Sequence, residues 1–285
     1  MNLKLSNFIF KEKQLNEIFN VRGFQRSGTN WVGNLLNLHP LINCQGEYHF
    51  QHFYKSLTKY SARKFTHPDI ELKLKKNITK TLDEIIIKQS SSTLLSGDRT
   101  PTSLISTYVP GRKNILITRD GRDCIVSWVY HCLRNGIVNN REMKIKQRLF
   151  NSDSSYFENN KNELLDSESF IKTLSRNWNH RIKQDQEAIT KSENGEIDMP
   201  ILHIKYEELA KETLGQRNLM YSFLNVDPKD ASPLDNLTTS GFKNHNVKSH
   251  NRIGKPGRWQ LYFTDKQLSW FDEISKEAME ILNLK

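Results

Sequence analysis

GFQRSGTNW, residues 23–31, carries Gly23 and Gly28 at the spacing of a phosphate-binding loop. The ATP and GTP form of such a loop reads G-x-x-x-x-G-K-[ST]; its lysine reaches the β/γ-phosphates and its hydroxyl helps hold Mg²⁺. Here Thr29 and Asn30 follow Gly28, so the lysine is missing, and Arg26 lies inside the loop instead. The preceding FNVRGF (19–24) reads as a short buried strand. The following TNWVGNLLNLH (29–39) reads as a helix, apolar at Trp31, Val32, Leu35, Leu36 and Leu38, and stopped by Pro40. A glycine loop between strand and helix exposes backbone N–H groups at the positive end of the helix and cradles an anion. Ser27, Thr29 and Asn30 add side-chain donors, and Arg26 adds a fixed charge with a planar fork of N–H groups. With Asn30 where a metal-binding hydroxyl would stand, the loop suits a terminal anion handled without a metal.

Outward from this loop, strands alternate with helices. STLLSGD (92–98) reads as a strand followed by a proline-initiated turn or helix at Pro101, and KNILITR (113–119) as the clearest buried strand. DGRDCIVSWVYHCLRNG (120–136) is a helix closed by Gly136. Apolar residues at helical spacing mark further helices: Leu74, Ile78, Leu82 and Ile85 between Pro68 and about Lys88, then Ile171, Leu174, Trp178 and Ile182, and finally Leu268, Phe271, Ile274 and Ile281 after Thr264. MPILHIKYEEL (199–209) is a strand entering a helix. Residues 137–167 are polar with weak periodicity and read as an insertion or a mobile lid within a single domain spanning 1–285. The alternation predicts an α/β fold: a three-layer sandwich around a central, mostly parallel sheet, like that of P-loop NTPases. Ligands of such folds sit beyond the carboxyl ends of the strands, where the loops 23–30 and 119–123 both fall.

The second of these loops offers another anion grip. Arg119 ends a strand, and Ser127 lies eight residues on, within the next helix. The arginine suits a bidentate hold on a second phosphate, and the serine supplies a hydroxyl. Between them, Arg122 and Asp123 read as a local ion pair that contributes little. Near the last helix, RIGKPGRW (252–259) is a basic loop whose glycines and proline demand special backbone angles. Its Arg252, Lys255 and Arg258 are placed to close over an anionic ligand.

Bulk properties set limits on partners. The 285 residues carry a net charge of +10, favouring anionic ligands, although surface lysines account for most of the excess. Cys44, Cys124 and Cys132 are odd in number with no C-x-x-C pair, which argues against a disulfide framework or a zinc site and suits a reducing compartment. No apolar run approaches the length of a membrane span, and the N-terminal stretch lacks the apolar region and cleavage site of a signal peptide. The expectation is a soluble cytoplasmic protein.

Taken together, the motifs resemble those of the sulfotransferases that use 3′-phosphoadenosine-5′-phosphosulfate (PAPS). GFQRSGTNW resembles their 5′-phosphosulfate loop, [KR]-S-G-T-[TN]-W in many members. TRDGRDCIVS (118–127) resembles the 3′-phosphate element R-[DN]-x-[RK]-D-x-x-V-S, and RIGKPGRW is similar to the closing loop R-K-G-x-x-G-x-W, with Ile253 in place of a basic residue. HIKYEEL (203–209) matches a recurrent strand-to-helix segment, and GDRTP (97–101) a G-[DE]-K-T-P box. Order and spacing agree over roughly residues 18–264. The resemblance implies that Arg26, Ser27, Gly28, Thr29 and Asn30 hold the 5′-phosphosulfate, that Trp31 packs on the adenine, and that Tyr206 reaches it. It implies that Arg119 and Ser127 hold the 3′-phosphate, and that Arg252 and Gly254 close over it. The product would be adenosine 3′,5′-bisphosphate (PAP).

Sulfuryl transfer needs in-line positioning and stabilised charge on the leaving oxygen. Arg26 supplies that charge and, being unable to lose its proton, acts electrostatically. The acceptor hydroxyl needs a base within reach. No histidine lies between His67 and His131, where many cytosolic members of the family place theirs. Other branches use a glutamate in an HP…GE context, and HPLINCQGEYHF (39–50) makes Glu47 the expected base, with His49 and His52 as alternatives. Asp98 and Arg99 are expected to position donor or acceptor. No metal is expected, and the acceptor is a small molecule or a glycan rather than a nucleic acid. Two other readings remain at this point: an ATP-dependent phosphotransferase, and a basic nucleic-acid-binding module without catalysis.

Overall fold

The computed structural model describes residues 17–61, 68–89, 94–138, 141–236 and 254–284. In chain order its elements are β1 (Glu17–Gly23), α1 (Thr29–Leu36), β2 (Ile42–Gly46), α2 (Gln51–Ser61), α3 (Pro68–Gln89), β3 (Leu95–Asp98), β4 (Asn114–Thr118), α4 (Gly121–Asn135), α5 (Arg141–Ser152), α6 (Tyr156–Asn159), α7 (Glu168–Glu193), β5 (Ile201–Lys205), α8 (Tyr206–Lys211), α9 (Thr213–Phe223) and α10 (Asp265–Ile281). The strands form one sheet in the order β2-β3-β1-β4-β5, and every neighbouring pair is parallel. This is the α/β architecture that the alternation predicts.

The side-chain period of two in the strands explains the layering. On one face Phe19 and Val21 of β1, Ile115 and Ile117 of β4 and Ile204 of β5 pack under Val32, Leu35 and Leu36 of α1 and Met220 and Tyr221 of α9. On the other face Leu116 meets Leu104, Ala188 of α7 and Met199. Ile18 on that side packs against Phe50, Tyr54 of α2 and Leu82 and Ile86 of α3. Both faces are therefore covered, which is why β4 reads as an unbroken apolar run. A separate core joins α4, α7 and α10 through Ile125, Val129, Leu133, Ile171, Trp178 and Phe271.

Local signals placed several ends well. Gly136 closes α4 with φ 63°, the left-handed angle that a C-terminal cap requires. Thr264 caps α10 in a capping box with Gln267. The stretch 137–167 is different: it holds α5, α6 and a 3₁₀ turn, and it sends Met143, Phe150, Phe157, Leu164 and Leu165 into the α4–α7–α10 core.

Arg22 on β1 is 1% exposed and donates to the Asp98 carboxylate at 2.8 Å, the Asp98 carbonyl at 2.8 Å and Thr107 Oγ1 at 2.8 Å. Asp98 Oδ1 in turn accepts from the Thr100 hydroxyl at 2.6 Å and from its N–H at 3.1 Å. Asp98 thus ties the end of β3 to β1 and shapes the turn that follows.

Asp185 on α7 is 2% exposed; its Oδ1 accepts from Leu104 N–H at 2.9 Å and its Oδ2 has no partner. Burial raises its pKa from 3.8 to about 7. Between those values the folded chain keeps a proton that the unfolded chain has lost, so this residue makes stability fall as pH rises through the window. Chemical denaturation at intervals from pH 4 to pH 8 should show that slope, and Asp185→Asn should flatten it. An unchanged slope in the variant would assign the pH dependence to other groups.

Candidate active site

Because all five strands are parallel, the loops leaving their carboxyl ends gather at one edge of the sheet. The loop after β1 brings residues 24–28, that after β2 brings Glu47 and His49, that after β3 brings Arg99 and Pro101, and that after β4 brings Arg119. Tyr206 begins α8 directly after β5. Together they enclose a cavity of about 370 Å³. Arg26, Gly28, Thr29, Asn30, Trp31, Glu47, His49, Arg119, Ser127, Tyr206 and Gly254 all line it.

At the first loop, Thr29 and Asn30 open α1, so their N–H groups have no carbonyl partner within the helix and Gly28 precedes them as N-cap. Gly28 has φ 113°, and a Cβ there would lie 2.8 Å from the Tyr206 ring. Glycine is therefore needed both for the turn and for the close approach of the aromatic. Arg26 also has a positive φ, 69°, which a side chain tolerates at some cost. That turn aims the guanidinium across the cavity, where Nε donates to Ser127 Oγ at 3.1 Å. The serine keeps its own O–H for a ligand. Ser27 is the exception among the expected contacts: it is fully buried, does not line the cavity, and its Oγ has no partner.

Arg119 is held on several sides. Its guanidinium lies 4.0 Å from the centroid of the Tyr206 ring, approaches Asp123 at 3.4 Å, and donates to the Arg26 carbonyl at 3.3 Å. Its own carbonyl accepts from the Trp178 indole at 3.2 Å. Arg122 and Asp123, read from sequence as a pair, do not pair with each other. Arg122 binds Asp120 at 2.7 Å and stacks 3.8 Å from the centroid of Trp259. Asp123 accepts from the N–H groups of Gly257 and Trp259, both at 2.9 Å. One carboxylate thus steadies Arg119 and fastens the 254–259 loop to α4. Tyr206 anchors the same loop by donating to the Gly254 carbonyl at 2.7 Å, and its ring meets Trp31 edge-on at 5.3 Å. Arg258 lines the cavity and approaches Glu158 of α6 at 3.6 Å. Arg252 lies outside the described residues.

On the opposite wall, Glu47 lies 3.7 Å from Arg99 and 3.9 Å from His49. Arg99 also hydrogen-bonds Asn30 Oδ1 and the Gln45 carbonyl, so it links α1 to the Glu47 loop from behind the cavity wall. Gly33 makes room for it: a Cβ there would stand 2.9 Å from Arg99 Cδ. Asp98, expected to position a ligand, is instead engaged with Arg22 and Thr100 and does not line the cavity.

Several lining residues have no site role in the sequence reading: Gln25, Pro101, Asp123, Trp128 and His131. A signal for some of them existed. Asp123, Ser127 and His131 are spaced by four on α4 and so share a face. Burial, then Arg26 and Arg134, push the His131 pKa down to about 4, which keeps its imidazole neutral near pH 7. With Arg26, Arg119 and Arg258 on the walls and Asp123 already engaged, the cavity is arranged for a ligand bearing negative charge at two points.

Among solved structures, the chain is similar to the mouse sulfotransferase SULT7A1 complexed with PAP, with a TM-score of 0.54 at 16% identity over 93% of this chain and 85% of that one. It is also similar to the sulfotransferase domain from the curacin biosynthetic pathway, with a TM-score of 0.50 at 13% identity over 95% and 99% of the two chains. At these identities the likeness speaks for the fold. No helix among the described residues is long and apolar enough to cross a membrane. Residues 19–283, nearly the whole chain, match the sulfotransferase domain family, and the chain belongs to that family.

Proposed function

We propose that the protein moves a sulfuryl group from PAPS to a hydroxyl or amine of a small-molecule or glycan acceptor by in-line transfer. The observation that carries this reading is the pair of anion grips on one cavity: the Arg26 loop, and Arg119 with Ser127, which the Arg26–Ser127 hydrogen bond joins. An ATP site has no use for the second grip. The similar mouse enzyme is a complex with PAP, in keeping with a donor of this kind. The N–H groups of Gly28, Thr29 and Asn30 and the Arg26 guanidinium would bind the 5′-phosphosulfate. Arg119 and Ser127 would bind the 3′-phosphate, and Trp31 and Tyr206 would flank the adenine. Gly254, with Arg252, would cover the nucleotide. The buried Ser27 would act through the shape of the loop.

In the transfer, the acceptor oxygen forms a bond to sulfur while the bond from sulfur to the phosphate oxygen breaks. The leaving oxygen keeps the electron pair, next to Arg26. The acceptor proton passes to Glu47, the proposed base, with His49 as its neighbour. Arg99 orients Glu47 and acts as a positioning residue. The three cysteines are buried free thiols, which supports a cytoplasmic setting.

Calorimetric titration should show PAP binding more tightly than ATP with Mg²⁺, and the reverse order would favour a phosphotransferase. Glu47→Gln should lower turnover by about a hundredfold or more, the usual share of a general base, while PAP affinity stays near that of the wild type. A normal rate in this variant would move the base elsewhere.

A further inference from the structure

His131 lines the cavity from α4, one turn beyond Ser127, and the two side chains share a face of the helix. Arg26 Nε donates to Ser127 Oγ at 3.1 Å, and Arg26 and Arg134 are the two charges that act on the imidazole. Of these two, only Arg26 lines the cavity. The ring thus stands near the residue that takes the 5′-phosphosulfate.

The neighbours of His131 fix both the ring and its proton. The imidazole stacks on Trp128, with centroids 5.3 Å apart and planes 27° from parallel. Asn135 donates from Nδ2 to the His131 backbone carbonyl at 2.8 Å. A carbonyl only accepts, so the amide must turn its NH₂ group to this side. The same nitrogen lies 3.2 Å from His131 Nδ1, which therefore accepts. In a neutral imidazole the proton then sits on Nε2. The two ring nitrogens point to nearly opposite sides, so Nε2–H leads away from the exposed Asn135. Burial and the two arginines keep the ring uncharged near pH 7. Such a group offers a hydrogen bond to an anionic oxygen without setting a second positive charge against Arg26.

We propose that His131 is a further donor-binding residue whose neutral Nε2–H meets an oxygen of the sulfuryl group of PAPS, a role that rests on the PAPS reading. The sulfuryl group is the part of PAPS that PAP lacks. His131 therefore separates co-substrate from product, while Arg119 and Ser127 hold what the two share.

The test is calorimetric titration of the wild type, His131→Phe and His131→Gln with PAPS and, separately, with PAP. Phenylalanine keeps a ring for Trp128 and removes the N–H; glutamine returns a donor. In His131→Phe the affinity for PAPS should fall about tenfold or more relative to that for PAP, the range of one hydrogen bond to a charged group. His131→Gln should keep part of the preference. PAP should bind all three proteins equally, which also reports that the variants are folded. The loss should be the same at pH 6.5 and pH 8.5, since a neutral donor does not titrate between them. An unchanged ratio in His131→Phe, or PAP affinity falling in step with that for PAPS, would overturn the role of His131. A loss seen at pH 6.5 alone would overturn the neutral donor. If neither nucleotide binds the wild type, the donor reading itself falls, and His131 with it.

Discussion

Arg26→Ala should reduce sulfuryl transfer by about a thousandfold, the upper range for removing one preorganised group that meets developing charge. The effect should fall mainly on kcat, because charge on the leaving oxygen grows as the bond to sulfur breaks. PAP binding should weaken less, since Thr29, Asn30 and Arg119 remain in place. Arg26→Lys should keep part of the rate, because a lysine returns the charge without the planar fork. Arg26→Gly separates charge from backbone strain. Residue 26 has φ 69°, so glycine relaxes the loop while removing the guanidinium. It should be as slow as the alanine variant. Transfer of labelled sulfate from PAPS measures all three, and a glycine or alanine variant of near wild-type rate would remove Arg26 from the chemistry.

Asp98→Ala should cost about 3–5 kcal/mol of folding stability, because it strands a buried arginine without its counter-charge. That is a large part of the roughly 5–15 kcal/mol available to a domain. Arg22 is 1% exposed, and its remaining partners are Thr107 and carbonyl oxygens. Burial already lowers its pKa, and Asp98 is the main influence opposing that shift. Asp98→Asn should cost less, since an amide oxygen still accepts a hydrogen bond. Replacing Arg22 and Asp98 together by apolar residues should cost less than the alanine change alone. Urea unfolding of the four proteins gives the comparison, and a stability order with the double variant lowest would contradict it.

The parts of the chain that proved readable are those where one simple pattern governs. β4 is apolar on both faces because both are covered, and α4 and α10 carry their own end signals in Gly136 and Thr264. Arg26, Thr29, Asn30, Glu47, His49 and Arg119 line one cavity because a parallel sheet sends its outgoing loops to the same edge, whereas Ser27 and Asp98 are turned into the protein. β2 gave no such pattern: its sequence is INCQG, and only Ile42 and Cys44 are buried. In α5 the inward face is built on Met143, Lys146 and Phe150, and a buried lysine breaks the apolar periodicity. Lys146 is accommodated by Asp166 and by the Glu163 carbonyl at 2.7 Å, partners that lie well outside the helix. The pairing of Arg122 and Asp123 was misread for a similar reason. Adjacent residues on a helix do not face each other, so Arg122 reaches back to the N-cap Asp120 while Asp123 takes up the 254–259 loop.

The strand order has a consequence for how the protein forms. β1 lies at the centre of the sheet, and its partners come much later in the chain: Glu17 pairs with Leu95, and Asn20 bonds Asn114, 94 residues away. Such long-range parallel pairing is slow, because chain entropy is lost before the contacts that offset it are made. The loop at residues 24–28 cannot be set until both neighbours of β1 have docked. Until then its arginine and N–H groups have no shared geometry with Arg119 or Ser127. A nucleotide that spans the two grips therefore recognises only the completed sheet, and by mass action it holds the chain in that state.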